Sequence, residues 1–158
     1  YFDGHFIRAS ANLVLVGTQG LGKTHLLVAL GYTACRMGVN VRYSRAVDMI
    51  NDLVAAQQDG TLGRALRAYT RPELLLLDEL GYLPVDRRGA DLLFQVVAAR
   101  YECRSIAIST NRRFRDWGTI FDADAALATA MIDRLMHHGE ALVIEGKSYR
   151  VKDRQLDN

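Results

Sequence analysis

Apolar residues gather in five short runs, at 12–16, 39–43, 74–77, 105–109 and 141–144, each closed off by turn-forming or charged residues. Polar residues scarcely alternate within these runs, the pattern of strands covered on both faces. Longer stretches between them repeat apolar residues at helical spacing. In 23–37, Leu26, Leu27, Leu30 and Ala34 form the expected inward stripe and Gly38 the stop. In 89–102, Leu93, Phe94, Val97 and Tyr101 share a face, and 123–136 reads as a third long helix. Two further helical stretches, 46–58 and 61–69, lie between the second and third runs and break at Gly60. Strands alternating with helices predict an α/β fold on a parallel sheet, with an inserted helical pair at about 46–70.

A chain of 158 residues with 49% hydrophobic content suits one domain, 1–158, with a substantial core. No repeat, low-complexity tract or Pro/Gly-rich linker divides it. The apolar runs are far shorter than the roughly 18–20 residues of a membrane-spanning helix, so no membrane association is expected. Cys35 and Cys103 form neither a metal-type pair nor a disulfide framework. Both fall in helical patterns and are expected to be small buried residues in a reducing compartment. With no basic-then-apolar leader, the expected location is the cytoplasm. Tyr1 in place of methionine marks an expected excised piece. A net charge of +2 neither announces nor opposes a nucleic-acid partner, so local clustering must decide.

The chemistry is concentrated after the first run, where Gly17-Thr18-Gln19-Gly20-Leu21-Gly22-Lys23-Thr24 satisfies G-x-x-x-x-G-K-[ST]. Such a match arises by chance in roughly one chain in a hundred of this size, so the strand before it and the helix after it are what make it specific. The glycines let the backbone curl with its N–H groups turned inward, and the following helix offers its positive end to the same anion. Gly17, Gln19, Gly20, Leu21, Gly22, Lys23, Thr24 and His25 are therefore the expected nucleotide-binding residues. Lys23 is expected to meet the β- and γ-phosphates of ATP, and the Thr24 hydroxyl to ligate Mg²⁺.

The third run delivers Asp78 and Glu79 to the carboxyl edge of the sheet, where open α/β folds bind ligands. Asp78 is the second expected Mg²⁺ residue, and Glu79 the group that orients and polarises the attacking water. An Asp-Glu pair after an apolar strand is on its own more often a cap or turn; the phosphate loop changes that reading. The fourth run ends in Ser109-Thr110-Asn111, placing the Asn111 amide where it can touch the γ-phosphate or the water. Phe6 and Ile7 can either wall the adenine or serve the core. Tyr82 and Pro84, after the acids, shape a turn.

These residues resemble AAA+ ATPases of the initiator and helicase-loader group, and more closely the IstB-type transposition helpers related to the loader DnaC. The resemblance spans nearly the whole chain and rests on Gly22-Lys23-Thr24-His25-Leu26, Asp78-Glu79-Leu80-Gly81-Tyr82-Leu83-Pro84, Leu93-Phe94-Gln95, Arg100-Tyr101-Glu102 and Ser109-Thr110-Asn111. It continues through 114–118, Asp133-Arg134-Leu135-Met136-His137-His138 and Gly146-Lys147-Ser148-Tyr149-Arg150. It implies a P-loop NTPase with a five-stranded sheet of order 5-1-4-3-2, flanked by helices and assembled as a ring or helical homo-oligomer around DNA. It also implies ATP hydrolysis that assists transposition by remodelling target DNA and recruiting or stimulating a transposase. A DnaC-like replicative helicase loader is the alternative. By the same carry-over Arg134 is an arginine finger reaching a neighbour's γ-phosphate, and Arg150 a second arginine near nucleotide or interface. Full helpers place a helical region before this domain.

The inserted pair matches the initiator-type insertion that touches DNA in that group. Its second helix carries Arg64, Arg67 and Arg71 at spacings of three and four, one basic face with no acid among them. DNA phosphates or plain solvation both account for such a face. Arg112, Arg113 and Arg115 form another basic cluster, open to DNA, a neighbouring subunit or solvent. His25 and the adjacent pair His137-His138 lack the i, i+4 spacing of helical metal ligands, which favours packing or interface roles over metal binding.

Overall fold

The computed structural model describes residues 1–146. Arg150, and with it most of the 146–150 segment, lies outside the described residues. In chain order the elements are α1 (His5–Arg8), β1 (Asn12–Val16), α2 (Lys23–Arg36), β2 (Val41–Arg45), α3 (Ala46–Gln58) and α4 (Leu62–Thr70). There follow β3 (Leu74–Leu80), α5 (Arg87–Arg100), β4 (Ser105–Thr110), a 3-10 turn (Phe114–Asp116), α6 (Trp117–Ile120), α7 (Ala125–His137) and β5 (Gly139–Val143). The five strands are parallel and ordered β2-β3-β4-β1-β5, the expected order read from the other edge.

Period-two alternation divides the core into two layers. Val14, Val16, Leu75, Leu77, Ile106 and Ile108 face one side, where α3, α5 and α7 cover them. Leu13, Leu15, Leu74, Leu76 and Ala107 face the other, beneath α2. Helices on both faces of a parallel sheet explain why β1, β3 and β4 read as nearly unbroken apolar runs. Phe6 is buried in the α2 layer, and its carbonyl accepts from Ser105 Oγ at 3.3 Å, so it serves the core. Aspartates begin the two long later helices: Asp86 accepts from Gly89 N and Asp124 from Leu127 N, each at 2.8 Å. Among the described residues no helix is long and apolar enough to cross a membrane.

Four expectations need correction. Coverage on both faces holds for the three central strands only; β2 and β5 are edges, with Tyr43, Leu142 and Val143 exposed. An edge strand is paired on one side, so its apolar residues are not enclosed as those of central strands are. Those two strands also differ in register from the apolar runs: β2 starts at Val41, and β5 at Gly139, which pairs with Asn12 although glycine carries no apolar signal. Ladder bonds are made by backbone, whatever the side chain. Leu26 is exposed; the inward stripe of α2 is Leu27, Leu30, Gly31 and Ala34, and Gly31 lets Leu76 Cδ1 pass where a Cβ would sit 2.4 Å away. Finally, Cys35 and Cys103 are exposed. Cys35 is turned about 100° from buried Ala34 around α2, and Cys103 lies in the turn between α5 and β4.

The inserted pair forms as expected, Gly60 separating α3 from α4, with α3 packed on α5 and β3. Its attachment to the core runs through Arg100, the last residue of α5 and fully buried. The guanidinium donates to Tyr69 O at 2.8 Å, Ser105 O at 2.7 Å and Glu73 O at 3.3 Å. Burial, assisted by Arg104, pushes its pKa down to about 10. Three carbonyls at the ends of α4, β3 and β4 thus converge on one side chain; that of Glu73 also accepts from Ser105 N at 3.2 Å, and each carbonyl left bare would cost about 1–3 kcal/mol. Arg100→Ala is expected to lower unfolding stability by about 3 kcal/mol or more in urea denaturation; a loss below about 1 kcal/mol would mean that water replaces the guanidinium.

Candidate active site

The loop between β1 and α2 is built by close backbone approach. Gly17 N donates to Thr110 O at 3.2 Å, and a Cβ on Gly17 would lie 2.6 Å from Ile144 O, so no side chain fits there. Gly22 is the residue before α2, with φ +81, and a Cβ there would meet nothing within 4 Å. That opening sits at the start of a 14-residue helix whose first N–H groups have no side-chain cap. Free N–H groups at a helix start, beside a side-chain-free bend, are the donor set an anion needs. Lys23 is 4% exposed and donates to Thr18 O at 2.7 Å, its Nζ 5.9 Å from the centre of the Tyr82 ring. Burial lowers its pKa while Asp78 and Glu79 work in the other direction.

Asp78, at the end of β3, is 1% exposed and accepts hydrogen bonds from three hydroxyls. Thr24 Oγ1 lies 3.2 Å from its Oδ1, Ser109 Oγ bonds the same oxygen, and Tyr43 Oη lies 2.9 Å from Oδ2. The strand register accounts for Tyr43: Arg45 is opposite Asp78, so Tyr43, two residues earlier, shares its face on the diagonal. Burial first, and the bond to Asp78 second, push the Tyr43 pKa up to about 12, which keeps the hydroxyl a donor. Tyr43 and Ser109 were not among the expected site residues. Their signal was a polar hydroxyl at the tip of an apolar run, and it was hidden by the edge position of one and the turn chemistry of the other.

Glu79 has φ +61, in the irregularity between Leu77 and Leu80 where β3 pairs with β4. A left-handed conformation costs a non-glycine residue about 1–2 kcal/mol, and here it is held by bonds from Glu79 N to Ser109 Oγ at 2.9 Å and Asp78 Oδ1 at 3.1 Å. Such irregularities re-aim side chains beside functional sites. Glu79 also lines a groove of about 440 Å³ shared with Arg45, Ile50 and Val54 of the β2–α3 segment. Asn111 directly follows β4, and its Oδ1 is buried without a hydrogen-bond partner among the described residues. A buried acceptor left open needs water or a ligand atom. Thr24, Asp78 and this amide form an oxygen-rich set that suits Mg²⁺ and a triphosphate.

Other expected residues stand apart. Arg134 lies on α7, its guanidinium 4.6 Å from the Phe94 ring and its Nη1 donating to Ala130 O at 3.0 Å. The hollow beside it is lined by Tyr101, Asp133, Met136 and His137, with no residue of the phosphate loop. His25 is on the exposed side of α2. Arg64, Arg67 and Arg71 are exposed along α4 and pair with no carboxylate among the described residues. Arg112 donates to Gly81 O at 3.4 Å, and Arg115 lies 3.8 Å from Asp116.

The model of a family described as IstB-like ATP binding protein matches residues 3–157. The chain belongs to this family. Among curated relatives, an insertion sequence IS5376 protein of Geobacillus stearothermophilus, named for ATP binding, is 41% identical over 151 residues, covering 96% of this chain and 60% of its own. An insertion sequence IS21 protein of Pseudomonas aeruginosa, named likewise, is 43% identical over 150 residues, covering 95% of this chain and 56% of its own. The chain thus spans less than two thirds of the length of these curated relatives. Among solved structures, the DnaC helicase loader superposes with a TM-score of 0.72 at 25% identity, covering 89% of this chain and 84% of that one. AMPPCP-bound DnaA from Aquifex aeolicus gives 0.72 at 26% identity, over 91% of this chain and 44% of that one. The fold is that of P-loop AAA+ proteins.

Because the Tyr43 hydroxyl donates to Asp78, the expected Mg²⁺ residue, its loss should act on the metal requirement. Tyr43→Phe is expected to raise the Mg²⁺ concentration needed for nucleotide binding by up to about tenfold, while binding at saturating Mg²⁺ stays near wild type. Titration with a fluorescent ATP analogue at varied Mg²⁺ measures this, and an unchanged midpoint would remove the positioning role.

Proposed function

We propose that this chain is the ATPase module of an insertion-sequence helper, one that assembles on duplex DNA with ATP bound and recruits or stimulates a transposase. Asp78 carries the reading: a buried carboxylate 3.2 Å from the hydroxyl that follows the phosphate-loop lysine. Loop amides and the start of α2 grip the phosphates, and Lys23 adds a positive charge at the β- and γ-phosphates. Thr24 and Asp78 would hold Mg²⁺, which when bound neutralises charge developing on the phosphate oxygens. Glu79 orients the attacking water and takes its proton, and the Asn111 amide steadies the site, its Oδ1 accepting from the water or its Nδ2 donating to the γ-phosphate.

Arg134 lines a hollow with Tyr101, Asp133, Met136 and His137 at the ends of α5 and α7, which supports a role toward a neighbour. A finger supplied in trans makes hydrolysis depend on assembly, and such fingers are worth about 10³–10⁵ in rate. The exposed arginines of α4 suit DNA phosphates. The groove joining α3 to Glu79 gives a physical route by which DNA on the insertion alters the catalytic acid. The family match and the insertion-sequence relatives favour transposition over a helicase-loading role, although the loader DnaC covers most of its own length in the superposition. Stimulation by duplex DNA with transposase capture is expected; selective single-strand binding with helicase capture would reverse the assignment.

Glu79→Gln is expected to keep ATP binding and lose turnover by at least about 100-fold, and Arg134→Ala to lose turnover to a similar or greater extent. Mixing the two inactive proteins should restore part of the activity, since one interface then pairs an intact Glu79 with an intact Arg134. Absence of rescue, together with turnover independent of protein concentration, would remove the trans finger. Replacing Arg64, Arg67 and Arg71 with alanine should weaken duplex binding and flatten the dependence of log affinity on log salt by about three; an unchanged slope would place the DNA elsewhere.

A further inference from the structure

At the opposite ends of two neighbouring helices from their caps, three side chains meet that the nucleotide site does not use. His137 is the last residue of α7, and His138 follows it with φ −126 and ψ 40, outside the helix. Consecutive helical residues point about 100° apart, but the break at His138 folds the two rings together, their centroids 4.2 Å apart. Spacing favours packing or interface roles for this pair because adjacent residues lack the i, i+4 separation of helical ligands, but that rule does not apply where the second residue leaves the helix. Glu102, two residues past α5, adopts φ +56 and brings its carboxylate to the pair. Its Oε1 lies 3.3 Å from His138 Nε2 and 3.6 Å from His137 Nδ1, and donor atoms of all three lie within 4.8 Å of one another.

Ligand bonds of 2.0–2.2 Å to a tetrahedral cation place neighbouring donors about 3.3–3.6 Å apart, which is the spacing of the two measured edges. Both α5 and α7 end here, so the negative ends of two helix dipoles add to the Glu102 charge. Two imidazoles and one carboxylate select zinc, nickel or copper over the oxygen-seeking magnesium and calcium ions. The side chains are about half exposed, at 51–53%, leaving room for water to complete the coordination.

We propose that Glu102, His137 and His138 form a divalent transition-metal site that clasps the ends of α5 and α7, separate from the Mg²⁺ position at Asp78. The Tyr101 hydroxyl, 2.5 Å from His137 Nδ1, competes for that nitrogen and gives it up when the ion enters. Arg134 lies one turn before His137 and 138 and rests on Phe94 of α5, so the bound ion also holds in place the stretch of α7 that bears it. Only this last consequence rests on the trans-arginine reading.

Zinc chloride titrated calorimetrically into the full chain, with excess Mg²⁺ in the buffer, is expected to give one saturable site, and Co²⁺ at that site the visible absorption of tetrahedral coordination. Glu102→Gln, His137→Ala and His138→Ala should each weaken binding by at least 10–100-fold, with circular dichroism unchanged, and abolish the rise in Tm that zinc gives the wild type. Tyr101→Phe should bind as tightly as wild type or more tightly, and His5→Gln should bind normally. No saturable binding by the wild type would overturn the site, as would binding that survives in folded Glu102→Gln and His138→Ala. Loss of binding in a Cys35→Ser, Cys103→Ser double variant would assign the ion to thiols and also overturn it. Failure of the site leaves ATP turnover and its rescue by mixing untouched, so the two readings are tested apart.

Discussion

A carboxylate enclosed at the tip of a central strand is tolerable only when its oxygens are fully engaged, because desolvating an unpaired charge is prohibitive. Asp78 meets that condition through hydroxyls delivered by three different elements: Thr24 from α2, Tyr43 from β2 and Ser109 from β4. The register of those elements is therefore tied to the state of one acid. The same contacts hold Glu79 in its left-handed turn, since Ser109 Oγ and Asp78 Oδ1 both accept from its amide. Binding chemistry and backbone geometry at this edge have one common support.

Much of this was legible in the residues. The strand-loop-helix placement of Gly17 to Thr24, the order of strands and the inserted helices at 46–58 and 62–70 follow from periodicity and resemblance. The Tyr43 partner of Asp78 was not, because a diagonal contact across β2 and β3 depends on a register that no local pattern in the apolar run encodes. Glu79's conformation escaped for the same reason: one of its two stabilising bonds runs to Ser109, thirty positions away. Leu26 and the two cysteines show the limit of periodicity, which gives the width of an apolar face but not which margin of it meets solvent. The convergence at His137 was hidden because spacing along one helix says nothing of a partner from another element: Glu102 arrives from the turn after α5.

The sheet edge that bears Asp78 and Glu79 is physically continuous with the insertion. Glu79 shares a groove with Ile50 and Val54 of α3, and α3 packs on α4, whose outer face carries the exposed arginines. A load on that basic face is transmitted through packed side chains that tolerate little compression. The order of elements thus gives the chain a short packed path between that basic face and a single acid.

Arg100 adds a constraint on how such a chain can diverge. Its guanidinium is anchored to the carbonyl of Tyr69, within the insertion, as well as to the starts of β3 and β4. Excising the helical pair would leave a sequestered cation short of an acceptor, and grafting in a foreign pair would have to reproduce that carbonyl's position. The insertion is in this sense not an exchangeable cassette but a part grown into its host, and lineages that trade it must change residue 100 in the same step.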